Sequence, residues 1–569
     1  VSAIPKQHES LARRYRERLG LGYEPSRYQS AIFEWVESGS GNVVVDACAG
    51  SGKTTTSVDA IKLASIDTLA VAFNREIADV LEHRLRGTRA KATTAHAHGL
   101  GALRFHCYAR VGLNGAVEVE VGEHKYPELF GAAAQALADR VEQRGPAPDD
   151  GTDTRPPVLF CGEPVSEDQL KVIAADGFPS AECVELTKLA RLFLLDFDAG
   201  ARYERGLDLL ARRYDVDVDE VVWPLVVLAV RNAMRWGCTP PRAGKWLVDF
   251  TDMIWLPNVL GLRPKQYGLV LVDECQDIST AARRLLIASV RRGGRMIWVG
   301  DPRQSINGFA GADSDSFDAI IRETHARVLP LSVCYRCPTS HLARAREWRA
   351  DIEARPGAPV GTIRRLERVD YVDEAASGDL VICRRTAPLI SLCFELIAAG
   401  IGASVRGRAD MSKGLIKIIK RASKLADKAR WSDTFVDALA RHGDEAAQKL
   451  RARARDEQAA ADAVDALEDR IECVRVIFAS TGAASQADLI ASVERTFADK
   501  TAAVTLSTVH RAKGLEANRV VILEYDRLIS PRATQPWQVQ QEENLSYVAY
   551  TRAKSEIIEI PAPKRDRKG

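Results

Sequence analysis

Val43-Val44-Val45-Asp46-Ala47-Cys48-Ala49-Gly50-Ser51-Gly52-Lys53-Thr54-Thr55 is the stretch that decides the fold. Three β-branched residues in a row read as a buried strand, the glycines as a tight loop, and Thr55 to Leu63 as a helix. That order gathers backbone N–H groups at a helix N-terminus, an arrangement that suits a polyphosphate. The backbone of Ala49, Gly50, Ser51, Gly52 and Thr55 is expected to wrap the phosphates, and Lys53 to reach the β- and γ-phosphates. The Thr54 hydroxyl is expected to hold Mg²⁺. Ala47 stands where the strict pattern has glycine, but only a backbone turn is needed there. The chain is therefore expected to bind a nucleoside triphosphate, ATP being the usual one.

Working outward, Leu269-Val270-Leu271-Val272 is a second buried-strand run, and it ends in Asp273-Glu274-Cys275-Gln276-Asp277. An acidic pair at the end of a strand, downstream of a phosphate loop, has a clear use. Asp273 is assigned to the metal and Glu274 to the general base that polarises water. A third strand, Met296 to Val299, leads into Gly300-Asp301-Pro302-Arg303-Gln304, where Gln304 is placed to sense the γ-phosphate or orient water. Parallel-type strands that each end in a polar loop predict an α/β sheet with ligands at the carboxyl ends.

At 569 residues the chain needs several compact units, and 46% hydrophobic with 27% charged residues is ordinary globular composition. A formal net charge of +2 excludes a global basic field, so a nucleic-acid site must be a local channel. No apolar run reaches membrane-span length, so no membrane partner is expected. The charged start of the chain lacks an apolar signal core, and eleven scattered cysteines suit reduced thiols. Both point to a cytoplasmic or nucleoid-associated protein. Cys334-Tyr335-Arg336-Cys337 has no second pair at zinc spacing, and Cys48 and Cys275 read as small packing residues.

These motifs, with others in the same order, resemble the UvrD/Rep-type superfamily 1 DNA helicases over nearly the whole chain. Tyr28-Gln29 looks like the family's adenine-reading glutamine motif. Val71 to Arg75, with Phe73 and Asn74, and Thr94-Ala95-His96-Ala97-His98-Gly99 look like two early DNA-contact motifs. The latter departs from Thr-Phe-His-Ser at Ala95 and Ala97. Asp249-Phe250-Thr251-Asp252-Met253 resembles the Asp-Phe-Asp-Asp-Met segment, and Gly300 to Phe309 resembles Gly-Asp-x-x-Gln-Ser-Ile-Tyr-x-Trp with Phe309 for Trp. In Cys334 to Pro338 the resemblance implies that Tyr335 stacks on adenine and Arg336 reaches the γ-phosphate. Thr508 to Glu516 and Glu542 to Lys554 match the fifth and sixth motifs, which assigns Glu516 to the ribose and Arg552 to the γ-phosphate. The wording Asn544-Leu545-Ser546-Tyr547-Val548-Ala549 looks most like the F-box DNA helicase branch.

The resemblance implies two RecA-like P-loop cores, parallel sheets flanked by helices, each with an inserted, mainly α-helical subdomain. The first core is expected over 1–102 and 245–327, its insertion over 103–244, the second core over 328–406 and 501–560, its insertion over 407–500, and a basic tail over 561–569. Within the second insertion Lys413, Lys417, Lys420, Arg421 and Lys424 form a solvated helix face or a duplex contact. The residues 145–157 form a polar, Pro/Gly-rich loop. Lys53, Arg336 and Arg552 would neutralise the transferred phosphoryl group, the arginines facing the first core across the nucleotide. Phe73, Asn74, Thr94, His96, Phe309, Thr508, His510 and, less directly, Arg385 are the candidate contacts for single-stranded DNA, with aromatic rings as base-stacking sites. The expected activity is ATP-driven translocation on single-stranded DNA, 3′ to 5′ by family analogy, with unwinding at single–double strand junctions by a monomer. A translocase that strips proteins with little unwinding, a nucleotide-gated DNA-binding module and an RNA track stay open as alternatives.

Overall fold

The computed structural model describes residues 6–114, 117–144, 157–214, 216, 218–241, 244–306, 316–406, 409–453, 457–497, 502–530 and 536–563. The expected loop at 145–157 and the basic tail lie largely outside them, and Phe309 lies wholly outside them. The chain divides into two compact units: residues 1–45, 54–300 and 308–329 form unit 1, and 46–53, 301–307 and 330–569 form unit 2.

The first sheet has six strands: β1 Val43–Ala47, β2 Thr68–Ala72, β3 Ala90–Thr94, β4 Tyr267–Val272, β5 Val290–Gly300 and β6 Arg327–Leu331. Their order is β6-β1-β5-β4-β2-β3, and the pairs β2–β3, β2–β4 and β4–β5 are parallel. β2 and β4 are buried along their whole length, which explains why they read as continuous apolar runs rather than alternating ones. The boundary expected at Val328 falls inside β6, an edge strand of this sheet. An apolar run announces a strand, not the sheet that strand joins.

The segment between β3 and β4 builds its own core from Leu103 to Leu256, with Tyr126, Phe130, Leu186, Val226, Val230 and Met234 inside it. Gly244–Val248, where the chain was expected to rejoin the first core, pairs in parallel with Val117–Val121 instead, and Trp246 and Val248 join the insertion's core. The return to the main sheet comes only at β4. A buried ionic web fixes the helix Phe250–Val259 to this insertion. Lys125 Nζ lies 2.5 Å from Asp252, Arg191 lies 2.7 Å from both Asp249 and Asp252, and the Tyr126 hydroxyl donates to Asp252 at 3.1 Å. Two cations meet two carboxylates and a phenol, so no buried charge is left alone.

Unit 2 carries the second six-stranded sheet: β7 Thr362–Arg365, β8 Leu380–Cys383, β9 Ala403–Val405, β10 Val504–Thr508, β11 Ala517–Leu523 and β12 Ala553–Ile560. The order is β7-β12-β11-β8-β10-β9, all pairs parallel. Between β9 and β10 the chain runs through the helices Ala409–Leu425, Trp431–Arg453, Glu457–Thr481 and Gln486–Thr496. In the first of these Leu415, Ile418, Ile419 and Ala422 are buried, while Lys413, Lys417, Lys420, Arg421 and Lys424 are all exposed on the other side. Asp469 of the third helix accepts from the backbone N–H of Thr386 and of Ala387 at 3.0 and 3.1 Å. It thereby caps the helix Ala387–Ala398, whose own N-cap residue Thr386 makes no side-chain cap bond.

Candidate nucleotide site and nucleic-acid face

In unit 1 the functional groups stand where β1 and β4 end. The helix Arg27–Ser38 opens with a capping box in which Gln29 Oε1 accepts from the Ser26 N–H at 2.9 Å. Gln29 Nε2 then donates to Thr56 Oγ1 at 3.0 Å, so the residue expected to read adenine is seated on the helix Lys53–Lys62. Thr54 Oγ1 donates to Asp273 Oδ2 at 3.1 Å, bringing together the two residues assigned to the metal across 219 positions of sequence. The other Asp273 oxygen accepts from the Glu274 N–H at 3.0 Å. Glu274 holds a left-handed backbone, φ 52° and ψ 44°, a conformation rare for a side chain of its kind and typical of functional turns. Its carboxylate accepts from Gln276 Nε2 at 2.6 Å. Gln276 was not singled out from the sequence, although it lies within the acidic box. A hydroxyl and a carboxylate oxygen this close are hard donors of the kind a divalent cation takes.

In unit 2 the loop Asp46–Lys53 packs on the segment around Cys334 to Cys337. Gly50 has φ +67°, and a Cβ there would lie 2.7 Å from Arg336 Cβ and 2.8 Å from Cys334 Sγ, so glycine is required twice over. Gly52, φ +76°, needs glycine only for its backbone, since a Cβ there would meet nothing. The Tyr335 N–H donates to the Gly50 carbonyl at 2.8 Å. Within the loop the Ser51 hydroxyl is buried with no hydrogen-bond partner. Cys48 packs against Cys334, Cys337 and Tyr547 as a small core residue.

Asp301, fully buried, organises the rest. It accepts from Gln304 Nε2 at 2.7 Å, from Arg349 at 2.9 Å and from the Tyr547 hydroxyl at 3.3 Å. The same Tyr547 oxygen accepts from the Ala49 N–H at 2.8 Å, and Arg349 also reaches Asp46 at 2.8 Å and the Ala47 carbonyl at 3.3 Å. Arg349 and the Tyr547 hydroxyl were missed in the sequence. Their partners lie far along the chain; Asp301 and Tyr547 each stood inside a recognised motif, but nothing in either motif pairs them, and Arg349 lay outside every one.

Arg552 is 1% exposed, yet its contacts are neutral: the Val548 carbonyl at 3.0 Å, the Leu515 carbonyl at 3.4 Å, Gln304 Oε1 at 3.3 Å and Thr551 Oγ1 at 3.5 Å. Among the described residues no carboxylate lies within ion-pair distance of it. Burial, reinforced by neighbouring Arg336, pushes its pKa down to about 10. Arg336 donates to the Thr551 carbonyl at 3.2 Å, and its Nε lies 2.7 Å from Glu516, placed for charge attraction but out of line for a hydrogen bond. Glu516 also pairs with Lys554 at 2.6 Å. Burial works against the Glu516 carboxylate, but Lys554 and Arg336 hold it below the usual range. Lys513 Nζ donates to the Gln304 carbonyl at 2.7 Å.

The candidate nucleic-acid contacts fall into two groups. In unit 1 Phe73 is 54% exposed at the end of β2, and Asn74 caps the helix Arg75–Arg84 by accepting from the Ile77 N–H at 2.8 Å. The Thr94 hydroxyl accepts from the Ala97 N–H at 3.2 Å. His96 meets the exposed Phe250 edge to face, ring centroids 6.2 Å apart, and burial lowers its pKa so that it stays neutral. In unit 2 Thr508 ends β10, and His510 two residues on is pushed down to about 4, chiefly by burial and also by Arg384. Arg385 is committed to Glu524 at 2.7 Å, so a phosphate would have to displace that carboxylate.

A phosphate loop that follows β1 of a parallel sheet, an acid-held glutamine that follows β5 of the same sheet, and the buried arginines grouped with them in unit 2 define a P-loop nucleoside-triphosphate-using protein. Residues 29–310 match the AAA domain family, and residues 413–561 match the UvrD-like helicase C-terminal domain family. The chain is also similar to a protein named DNA helicase II of Haemophilus influenzae, with 25% identity over 385 residues. That alignment covers 60% of this chain and 44% of the relative, so the chain spans less than half of the relative's length. This chain belongs to the UvrD/Rep-type superfamily 1 helicases. Neither match separates the F-box branch from the rest of the family.

Proposed function

We propose that the chain is an ATP-driven motor that moves along single-stranded DNA and separates duplex strands ahead of it, in the 3′ to 5′ direction. The observation that carries the reading is Arg552, a buried guanidinium among neutral partners and hydrogen-bonded to Gln304. A cation kept dry without an anion is poised for an anionic ligand, and a γ-phosphate is one. The unpartnered Ser51 hydroxyl in the loop supports the same ligand. In this reading Lys53 and Arg336 share the charge of the phosphates with Arg552. Gln304, held by Asp301, orients at the γ end, and Tyr335 stacks on the base while Glu516 meets the ribose. Glu274 takes the proton of the attacking water, its carboxylate aligned by Gln276. Thr54 and Asp273 would hold Mg²⁺, which would supply charge neutralisation to the phosphates. Phe73, His96, Phe250 and His510 offer rings on which bases of any sequence can stack, roughly 1–3 kcal/mol each. The exposed lysine face of Ala409–Leu425 suits duplex phosphates.

Steady-state ATP hydrolysis with single-stranded DNA, matched RNA and blunt duplex tests the core of this. Stimulation by single-stranded DNA alone is expected. Equal stimulation by RNA would change the track, and no stimulation by any polymer would overturn the motor. Duplexes with a 3′ or a 5′ tail then test direction, with unwinding expected only from the 3′ tail. Protein displacement without strand separation would replace the helicase with a translocase.

A further inference from the structure

Unit 1 contains a cavity of about 470 Å³ that the nucleotide chemistry does not use. Lys91 of β3, His98 and Phe105 of the helix Ala95–Asn114, and Arg263, Lys265 and Tyr267 at the amino end of β4 line it. β1, which leads to the phosphate loop at its carboxyl end, is two strand positions from β4 and four from β3, about 10 and 19 Å at ~4.8 Å each, and the cavity lies at the amino end of β4. The two places are therefore separate.

The chemistry of the lining is one-sided. It has three cations and no acid, and among the described residues Lys91, Arg263 and Lys265 make no ion pair. This contrasts with Arg291 nearby in sequence, which pairs with Asp67 at 2.8 Å. Lys265 Nζ lies 5.3 Å from the Tyr267 ring centroid, and Phe105, 71% exposed, presents an open ring on the same lining. The buried His98 also lines the cavity. Its Nε2 lies 2.9 Å from Ser289 Oγ, and that hydroxyl already donates its only hydrogen to the Leu285 carbonyl at 2.8 Å. Nε2 is therefore the donor, and Nδ1 keeps its lone pair. Burial, with Lys91 and Lys265 adding, pushes the ring down to about 4, so it stays neutral.

We propose that this cavity is a second nucleotide site, one that takes a nucleoside monophosphate unit, either free or as one residue of a single strand. Lys91, Arg263 and Lys265 take the phosphate, and the base lies against Phe105. A cavity of this size falls within the range that encloses small organic ligands, and unpaired cations beside an open ring are how a strand is held without sequence preference. The inference does not rest on the motor reading, since the cavity is remote from the phosphate loop.

The test is photocrosslinking to the full chain with its phosphate loop filled by a non-hydrolysable ATP analogue. The probes are 5-iodo-2′-deoxyuridine 5′-monophosphate and an oligothymidylate carrying one 5-iododeoxyuridine, with labelled residues mapped by mass spectrometry. Label on Phe105 or Tyr267 from either probe is expected; from both it marks a free-nucleotide site, from the oligonucleotide alone a strand site. Arg263→Glu with Lys265→Glu, and separately Lys91→Glu, should cut that labelling roughly tenfold. Basal ATP turnover without DNA should stay unchanged in both, which shows the variants fold. No label at either ring, or label that survives both variants, overturns the proposal. Loss of DNA-stimulated turnover alone would bear on the motor and leave this result standing.

Discussion

Arg349 and Arg552 are both buried arginines of unit 2, yet their surroundings are opposite. Arg349 sits in a cage of carboxylates, with Asp46, Asp301 and Asp351 at 2.8, 2.9 and 3.1 Å. Burial opposes its charge, but Asp301 and Asp46 more than offset that and raise its pKa. Arg552 has carbonyls, an amide and a hydroxyl, and burial leaves its pKa lowered. The first is a structural rivet whose charge is already spent on the protein. The second has only neutral partners, and in the proposed function it is the one left for the γ-phosphate.

The sharpest way to break this contrast is Arg552→Ala. ATP turnover should fall by about 10³–10⁵-fold, the usual worth of an arginine that meets the γ-phosphate. The melting temperature should hold or rise, because no carboxylate loses its partner. A drop in melting temperature with turnover retained would place Arg552 beside Arg349 as a rivet. Arg349→Met is the mirror experiment. It strands Asp46 and Asp301, so urea denaturation should register a loss of about 3–5 kcal/mol, and Asp301→Asn added to it should restore part of that loss.

A pH series sharpens the comparison with a different kind of buried base. His98 and His510 are both pushed to about 4, below the ordinary value near 6.5. Between those values the unfolded chain binds more protons than the folded one. Stability should therefore be full above about pH 6.5 and fall as the pH drops toward 4. His98→Gln should flatten that slope in denaturant titrations between pH 4.5 and 7. The smallest effect belongs to Tyr547→Phe, which removes the oxygen that joins the Ala49 N–H to Asp301. It should cost about 1 kcal/mol and raise the KM for ATP more than it lowers kcat.

How much of this could be seen in the sequence follows from how far apart the partners lie. The phosphate loop was legible because a nest of N–H groups needs consecutive residues, and β1, β4 and the buried end of β5 because strands buried on both faces leave unbroken apolar runs; the exposed start of β5, Val290 to Arg295, carries arginines and glycines and gave no such signal. The membership of β6 was not, since Arg327–Leu331 reads as a strand whichever sheet takes it. Nor was the Asp301 web, whose members Arg349 and Tyr547 lie 48 and 246 positions away. Arg385 was read as a lesser candidate contact for single-stranded DNA, but charge in the sequence says nothing of the Glu524 that already occupies it. Phe250 lay inside a recognised segment, and its place beside His96 depended on the ionic web that seats its helix.

The cap that Asp469 provides to Thr386 and Ala387 bears on how such proteins can be rebuilt. The helical insertion between β9 and β10 looks like a removable module, joined by two chain crossings. Its third helix, however, supplies the N-terminal cap of a helix outside it. A graft that replaces the insertion with another set of helices must carry an acid at the position of Asp469. Otherwise the recipient inherits an uncapped helix in its host sheet, and the fault will register as poor expression of the chimera and not as a defect of the graft.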